Sequence, residues 1–183
     1  AMSPYGNTKQ IGEEIITDTV KSSLLQAVSL RYFNPVGSHD SALIGELPTT
    51  MPLNVMPIIT QVAIGKRKKF VVFGNDYPTP DGSCIRDYIH VVDLAKAHVI
   101  AVMRLIKKKN LSAYEVFNLG TGKGFSVLEL IHAFEKTIGQ KLNFTIEGRR
   151  AGDVTAVYAD TTLANTVLGW NSERNLNDMI RTA

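Results

Sequence analysis

The chain has 183 residues, 44% hydrophobic and 20% charged, with a formal net charge of +3. That balance suits an ordinary globular protein with one core or a core plus a small lobe, and it holds neither an apolar run long enough to span a bilayer nor a signal-peptide pattern. Cys84 is the only cysteine, so an intrachain disulfide and a thiolate metal cluster are excluded; this fits a reducing, cytoplasmic setting. His39, His90, His98 and His132 are scattered without metal-ligand spacing, and no metal is expected. Two basic runs, 66–69 and 107–109, fall where helices are expected to end. They read as solvated helix C-termini rather than a nucleic-acid footprint, and a modest positive field suits an anionic nucleotide.

In chain order, residues 4–24 read as an amphipathic helix capped by Ser3, with Pro4 at its first position and Ile11, Ile15, Ile16, Val20 and Leu24 at helical spacing. Residues 27–33 read as a strand ended by Asn34-Pro35-Val36-Gly37. A loop follows, then a helix over 55–66 begun near Asn54 and stopped at Gly65. Residues 70–73 form a short buried strand, and 77–83 a turn-rich loop. Residues 85–90 are extended, 93–108 helical, and 115–119 a strand closed by Gly120-Thr121-Gly122-Lys123-Gly124. Ser126 caps a helix to Ile138, with Glu129 at the capping-box position and Gly139 as its stop. Residues 142–146 read as a strand, and helices near 162–168 and from about 176 complete the chain. Strands alternating with helices predict an α/β fold with a largely parallel sheet. The glycine-rich 120–124 segment has neither Walker A nor dinucleotide-fingerprint spacing, so it reads as a turn between strand and helix.

Tyr5 and Lys9 are four apart, which stacks them on one helix face. An ammonium beside a phenol favours the phenolate, and such a pair can take a proton from a sugar hydroxyl. On spacing alone the pair is also compatible with a solvated helix face.

Six segments make the reading specific: 3–9 (Ser-Pro-Tyr-Gly-Asn-Thr-Lys), 30–35 (Leu-Arg-Tyr-Phe-Asn-Pro), 72–77 (Val-Phe-Gly-Asn-Asp-Tyr), 86–95 (Arg-Asp-Tyr-Ile-His-Val-Val-Asp-Leu-Ala), 118–122 (Asn-Leu-Gly-Thr-Gly) and 149–153 (Arg-Arg-Ala-Gly-Asp). In this order they resemble the C-terminal part of the UDP-glucose 4-epimerases, a family of extended short-chain dehydrogenases/reductases. The resemblance implies part of an NAD-binding Rossmann-like doubly wound sheet plus a smaller α/β substrate-binding lobe. Residues 1–35 would be the end of the cofactor domain and 36–183 mainly the UDP-sugar lobe, with about 86–120 returning to the cofactor domain. It also implies that the family's Gly-rich pyrophosphate turn and its catalytic Ser/Thr lie upstream. The chain is therefore expected to be a fragment, inactive by itself.

The same resemblance implies the roles. Tyr5 would be the base at the sugar 4-hydroxyl, and Lys9 would assist it and bind the nicotinamide ribose of NAD. Tyr32 would lie against the cofactor, although a core aromatic is the alternative. Asn34, Asn54 and Val55 would contact the UDP-sugar, whereas Leu53 stands where many members carry an asparagine. Val71, Val72 and Phe73 would line the uracil and ribose through backbone groups and an apolar wall, a role compatible with an equally good reading as a buried strand. Arg86 and Arg150 would clamp the diphosphate, since the guanidinium fork suits phosphate, and Asp153 would hold an arginine or accept from the ribose. Val157, small where some members carry tyrosine, would open the sugar pocket to N-acetylhexosamines. His90 is expected to bond local backbone. The implied parent is a homodimer of galactose and nucleotide-sugar metabolism, interconverting UDP-galactose and UDP-glucose. The rival readings are a sugar-nucleotide dehydratase or decarboxylase of the same superfamily, and a non-catalytic UDP-sugar-binding module.

Overall fold

The computed structural model describes residues 3–183; Ala1 and Met2 lie outside the described residues. Helix α1 (Pro4–Lys21) starts as its sequence predicts: Ser3 is extended and its hydroxyl accepts from Gly6 N at 3.0 Å, with Pro4 following. It ends three residues before Leu24 because serine hydroxyls take its last carbonyls: Ser22 Oγ donates to Asp18 O at 2.9 Å and Ser23 Oγ to Thr19 O at 2.7 Å. Strand β1 (Ala27–Tyr32) follows. Asn34–Val36, expected only to terminate β1, forms a second strand, β2. Then come α2 (Val55–Ala63), β3 (Phe70–Phe73), β4 (Ile85–Arg86), β5 (Tyr88–His90) and α3 (Val91–Ile106). Helix α3 begins two residues earlier than expected, since the His90 ring caps it: Nδ1 accepts from Val92 N at 3.0 Å.

Strand β6 (Tyr114–Leu119) leads to β7 (Phe125–Ser126) and α4 (Val127–Ile138). The capping box of Ser126 and Glu129 is formed, and Gly139 stops the helix at φ 69°. Strands β8 (Phe144–Glu147) and β9 (Ala156–Val157), a π-helical turn over Ala164–Leu168, and α5 (Leu176–Arg181) finish the chain.

Pairing is largely parallel but distributed over four small sheets rather than one. β1 pairs with β6, β2 with β5, β3 with β8, and β4 with β9, all parallel; β4 with β7 is antiparallel. Two apolar clusters result. One gathers residues such as Ile59, Val72, Leu130, Ile131 and Met179; the other gathers Ile89, Leu94, Phe117, Leu119 and Trp170. Strand β5 divides them. Adjacent side chains of a strand point to opposite faces, so Tyr88 enters the first cluster and Ile89 the second.

Buried carboxylates tie the segments around this divide. Asp87, fully buried, accepts at Oδ1 from Thr121 N (2.9 Å) and Thr121 Oγ1 (2.7 Å), and at Oδ2 from Gly122 N and Ala159 N (both 3.1 Å). A Cβ on Gly120 would stand 2.3 Å from Asp87 Oδ2, which explains glycine there. The donors of the 120–124 turn thus serve an internal carboxylate, in keeping with its reading as a structural turn. Asp93 accepts at Oδ2 from Glu173 N and Arg174 N, at 2.9 and 2.8 Å. Among the described residues no helix is long and apolar enough to cross a membrane, and no group of His, Cys, Asp or Glu could hold a metal.

Candidate functional site

Two groups of the expected residues are assembled, on different elements. The first lies on α1 and β1. The i, i+4 spacing stacks Tyr5, Lys9 and Glu13 on one face of α1, and Lys9 Nζ sits 5.1 Å from the centroid of the Tyr5 ring. Arg31, on β1, grips the Glu13 carboxylate with both arms: Nε donates to Oε1 at 2.6 Å and Nη2 donates to Oε2. That pairing holds the Glu13 carboxyl below its ordinary range, the bond from Arg31 outweighing burial.

Tyr5, Lys9 and Tyr32 all line one open cleft of about 960 Å³ at the C-terminal end of β1. Ligands of parallel α/β folds lie at that end of the strands. Tyr32 is 52% exposed, with its ring centroid 6.3 Å from that of His98, so within this chain its ring is not packed into either apolar cluster. Lys9 presents an ammonium in this cleft beside the exposed phenol of Tyr5, donors that could hold the ribose hydroxyls of a dinucleotide.

The second group surrounds Asp153. Its Oδ1 receives Arg86 Nη2 at 3.5 Å and Arg150 Nη2 at 2.9 Å. Arg86 is anchored further, its Nη1 donating to Ile85 O at 2.8 Å and Val154 O at 2.9 Å. The Arg150 guanidinium lies 5.5 Å from the centre of the Phe73 ring. Val157 stands opposite Arg86 in the β4–β9 pair, partly exposed. Residues from β3, β4, the 149–153 loop and β9 therefore converge, and two cations facing one carboxylate leave the group net positive.

The remaining expected residues are less uniform. Val71 is half-buried on β3, but Val72 is 1% exposed and its side chain belongs to the core. That is the buried strand compatible with the expected role, and it leaves the backbone of Val72 for a ligand. Val55 also packs its side chain against the core, at the start of α2. Asn54 is the N-cap of α2, yet its side chain makes no capping bond, so the amide is left for other partners. Asn54 and Pro35 border the same hollow of about 290 Å³. Asn34, half-buried, pairs with Tyr88, and its N–H donates to Asp87 O at 3.0 Å. Leu53 is exposed. His90 bonds the Val92 backbone and, through Nε2, Thr182 Oγ1 at 3.0 Å, as expected of a structural histidine.

Two residues escaped assignment from sequence. Asp87 is one; its signal was only its place between Arg86 and Tyr88. Arg149 is the other. It donates to Asp76 Oδ1 at 2.7 Å and Asp76 O at 2.6 Å, and lies 4.2 Å from the Tyr77 ring centre. It is committed to the 74–77 turn, so of the adjacent pair Arg149 and Arg150 it is Arg150 that joins Arg86 in facing Asp153.

The family model described as GDP-mannose 4,6 dehydratase matches residues 1–183. The UDP-glucose 4-epimerase of Drosophila melanogaster is 52% identical over 180 residues, covering 97% of this chain and 51% of that protein. The UDP-glucose 4-epimerase of Erwinia amylovora is 47% identical over 180 residues, covering 98% and 52%. Among solved structures, UDP-glucose-4-epimerase from Stenotrophomonas maltophila with bound NAD and formylated UDP-arabinopyranose matches at 50% identity and a TM-score of 0.93, over 100% of this chain and 54% of that one. UDP-glucose 4-epimerase from Bifidobacterium longum in complex with NAD+ and UDP matches at 45% identity and a TM-score of 0.91, over 98% and 53%. The chain spans about half the length of the curated relatives it matches, and it shares their α/β, Rossmann-like fold class.

Proposed function

The chain belongs to the GDP-mannose 4,6 dehydratase family, and from that premise we propose that it forms about half of an NAD-dependent UDP-hexose 4-epimerase, an isomerase interconverting UDP-galactose and UDP-glucose. The observation that carries the reading is Lys9 held over Tyr5 in a cleft shared with Tyr32. The epimerase relatives, two of them crystallised with NAD, support it.

In this reading the phenolate of Tyr5 takes the proton of the sugar 4-hydroxyl and returns it after the 4-keto sugar has turned over. Bound NAD supplies the hydride acceptor and donor at C4. Lys9 steadies the phenolate and donates to the nicotinamide ribose, with Tyr32 against the cofactor. Arg86 and Arg150 hold the diphosphate by charge-assisted bonds. Asp153 accepts from the ribose or holds an arginine in place. Asn34, Asn54 and the backbone of Val55 complete the polar contacts, and Val71, Phe73 and the backbone of Val72 border the uridine. Val157 forms a small wall of the sugar pocket.

The two apolar clusters support a division into a cofactor side, residues 1–35 and about 86–120, and a UDP-sugar side. Ala164, Leu168 and Trp170 join the Ile89 cluster, so the chain would return once more to the cofactor side. A cytoplasmic homodimer of galactose metabolism completes the proposal; Ile11 and Ile15 on α1, 45% and 61% exposed, support a helix-borne interface.

The test is turnover of UDP-galactose to UDP-glucose by the full-length protein that carries this chain, without added NAD. Conversion that is lost in Tyr5→Phe is expected. A folded, NAD-loaded protein without conversion would sink the reading.

A further inference from the structure

Glu13 stands four residues beyond Lys9 on the face that carries Tyr5. A lysine and a glutamate at that spacing attract one another along a helix. Yet Lys9 lies over the Tyr5 ring, and Glu13 is engaged elsewhere: Arg31 holds both its oxygens across the α1–β1 contact. The carboxylate is well placed to compete for the ammonium, since its side chain is 24% exposed and would gain a partner by turning to Lys9. The neighbouring Glu14 already accepts from Gln10 Nε2 at 3.0 Å.

We propose that Arg31 is a positioning residue for the Tyr5–Lys9 pair: by occupying both oxygens of Glu13 it withholds that carboxylate from Lys9 and leaves the ammonium with the phenol. The inference rests on the epimerase reading, and it assigns Arg31 no contact with substrate. Its distinguishing consequence is that loss of Arg31 does harm only while Glu13 is there. An arginine that merely fastened the helix to the strand would show no such dependence.

The other groups near the pair have their own partners or lie to one side. On β1, Tyr32 closes the cleft and faces His98. On β6, Tyr114 shares a 2.7 Å hydrogen bond with Ser29 and lies close enough to Arg31 to favour its charge. Glu115 is taken by Arg104. Glu13 is therefore the carboxylate whose release would act on Lys9 most directly.

The experiment compares full-length, NAD-loaded wild-type protein with Arg31→Gln, Glu13→Gln and the double variant, measuring kcat and KM for UDP-galactose separately. With the ammonium drawn from the phenol to Glu13, Arg31→Gln should lower kcat by about three- to tenfold, the Lys-before-Glu order being the weaker one. KM should stay within about twofold, because the arginines of the diphosphate group lie on other elements. The double variant should recover kcat to within about twofold of wild type. An unaffected Arg31→Gln, or a double variant as slow as the single, overturns the inference while the epimerase reading stands. If Arg31→Gln does not fold, Arg31→Lys carries the test. It keeps a cation on Glu13 and should retain kcat within about twofold; a folded Arg31→Lys slowed about threefold or more overturns the inference. A wild type that converts no UDP-galactose overturns the epimerase reading, and the role of Arg31 with it.

Discussion

Arg150 and Asp153 form an ion pair of 2.9 Å in which the carboxylate is the more deeply placed partner, its side chain 11% exposed against 59% for the guanidinium. Asp153 also faces Arg86, whose side chain is 17% exposed and fastened to Val154 O. One arginine is thus fixed and the other is free to turn outward from a shared carboxylate. That asymmetry suits a site that exchanges an internal anion for a phosphate.

Arg150→Ala should weaken UDP binding by about tenfold with little change in folding stability, because the side chain is largely in water. Titration calorimetry with the full-length protein reads the first and thermal unfolding the second. Arg86→Ala should weaken binding at least as much and also lower the unfolding temperature, since it loosens the backbone leading to β9. Equal affinity in wild type and Arg150→Ala would remove this arginine from the site.

A different pair bears on stability alone. Arg104 and Glu115, with side chains 10% and 7% exposed, form a two-armed salt bridge of 2.7 and 2.9 Å. Leu111 N donates to the same carboxylate at 2.9 Å, and Arg104 Nη1 donates to Val167 O at 3.0 Å. Removing one charge strands the other, so Arg104→Met should cost roughly 3–5 kcal/mol, whereas a double apolar replacement should cost less. The bond from Arg104 holds the Glu115 carboxyl below its ordinary range. Its stabilisation is therefore complete above the unfolded carboxylate range and lost as pH falls through the lowered folded value. Urea unfolding from neutral pH down to about pH 3 should show a shallower loss in Glu115→Gln than in wild type.

Such pairs mark the boundary of what was legible in the sequence. The ends of α4 could be read because Ser126, Glu129 and Gly139 act on their own neighbours. Strands β7 and β9 could not: two residues carry no periodicity, and each exists through its pairing with β4. Asn34-Pro35-Val36 looked like punctuation because proline lacks a donor, yet Asn34 N–H bonds Asp87 O and the segment pairs with β5. In the site, Tyr5 and Lys9 were local and could be read, while the resemblance supplied Arg86, Arg150 and Asp153. The engagement of Glu13 by Arg31, and of Arg149 by Asp76, depends on contacts between distant segments that no short motif encodes.

His90 should make the fold sensitive to mild acid. It is fully exposed to none of the solvent, bonded at both nitrogens to Val92 N–H and Thr182 Oγ1. Burial first, then the charge of Arg174, lower its affinity for a proton, against the opposing pull of Asp93, Asp40 and Asp178. A histidine lowered in the fold is protonated first in the unfolded chain. Its contribution is flat above the unfolded value of about 6.5 and turns against folding as pH falls through it. The urea midpoint should therefore fall between about pH 7.5 and 5.5 by more in wild type than in His90→Asn, whose amide can still cap α3. Parallel curves for the two proteins would assign the acid sensitivity elsewhere.

In the proposed epimerase reading, Val157 sets the width of the sugar pocket. It pairs with Arg86 across β4 and β9, its carbonyl accepts from Asp87 N at 3.0 Å, and Asp87 accepts from Ala159 N two residues on. Asp87, fully buried, thus holds the backbone at this position and just after it, and Ile85 N holds Thr155 O before it at 2.9 Å, so a larger side chain is not readily relieved by moving the strand. Valine leaves room where tyrosine would place a ring. The full-length enzyme should accordingly turn over UDP-N-acetylglucosamine and its galacto epimer as well as the plain hexoses. Val157→Tyr should lower kcat/KM for the N-acetyl sugars by about 10- to 200-fold, the range one steric contact gives, and leave UDP-galactose within a few-fold. Parallel assays on both sugar pairs measure this directly. A wild type active on UDP-galactose but silent on UDP-N-acetylglucosamine would show that another wall closes the pocket, whereas equal losses on both sugars in Val157→Tyr would mean the ring blocks the site as a whole.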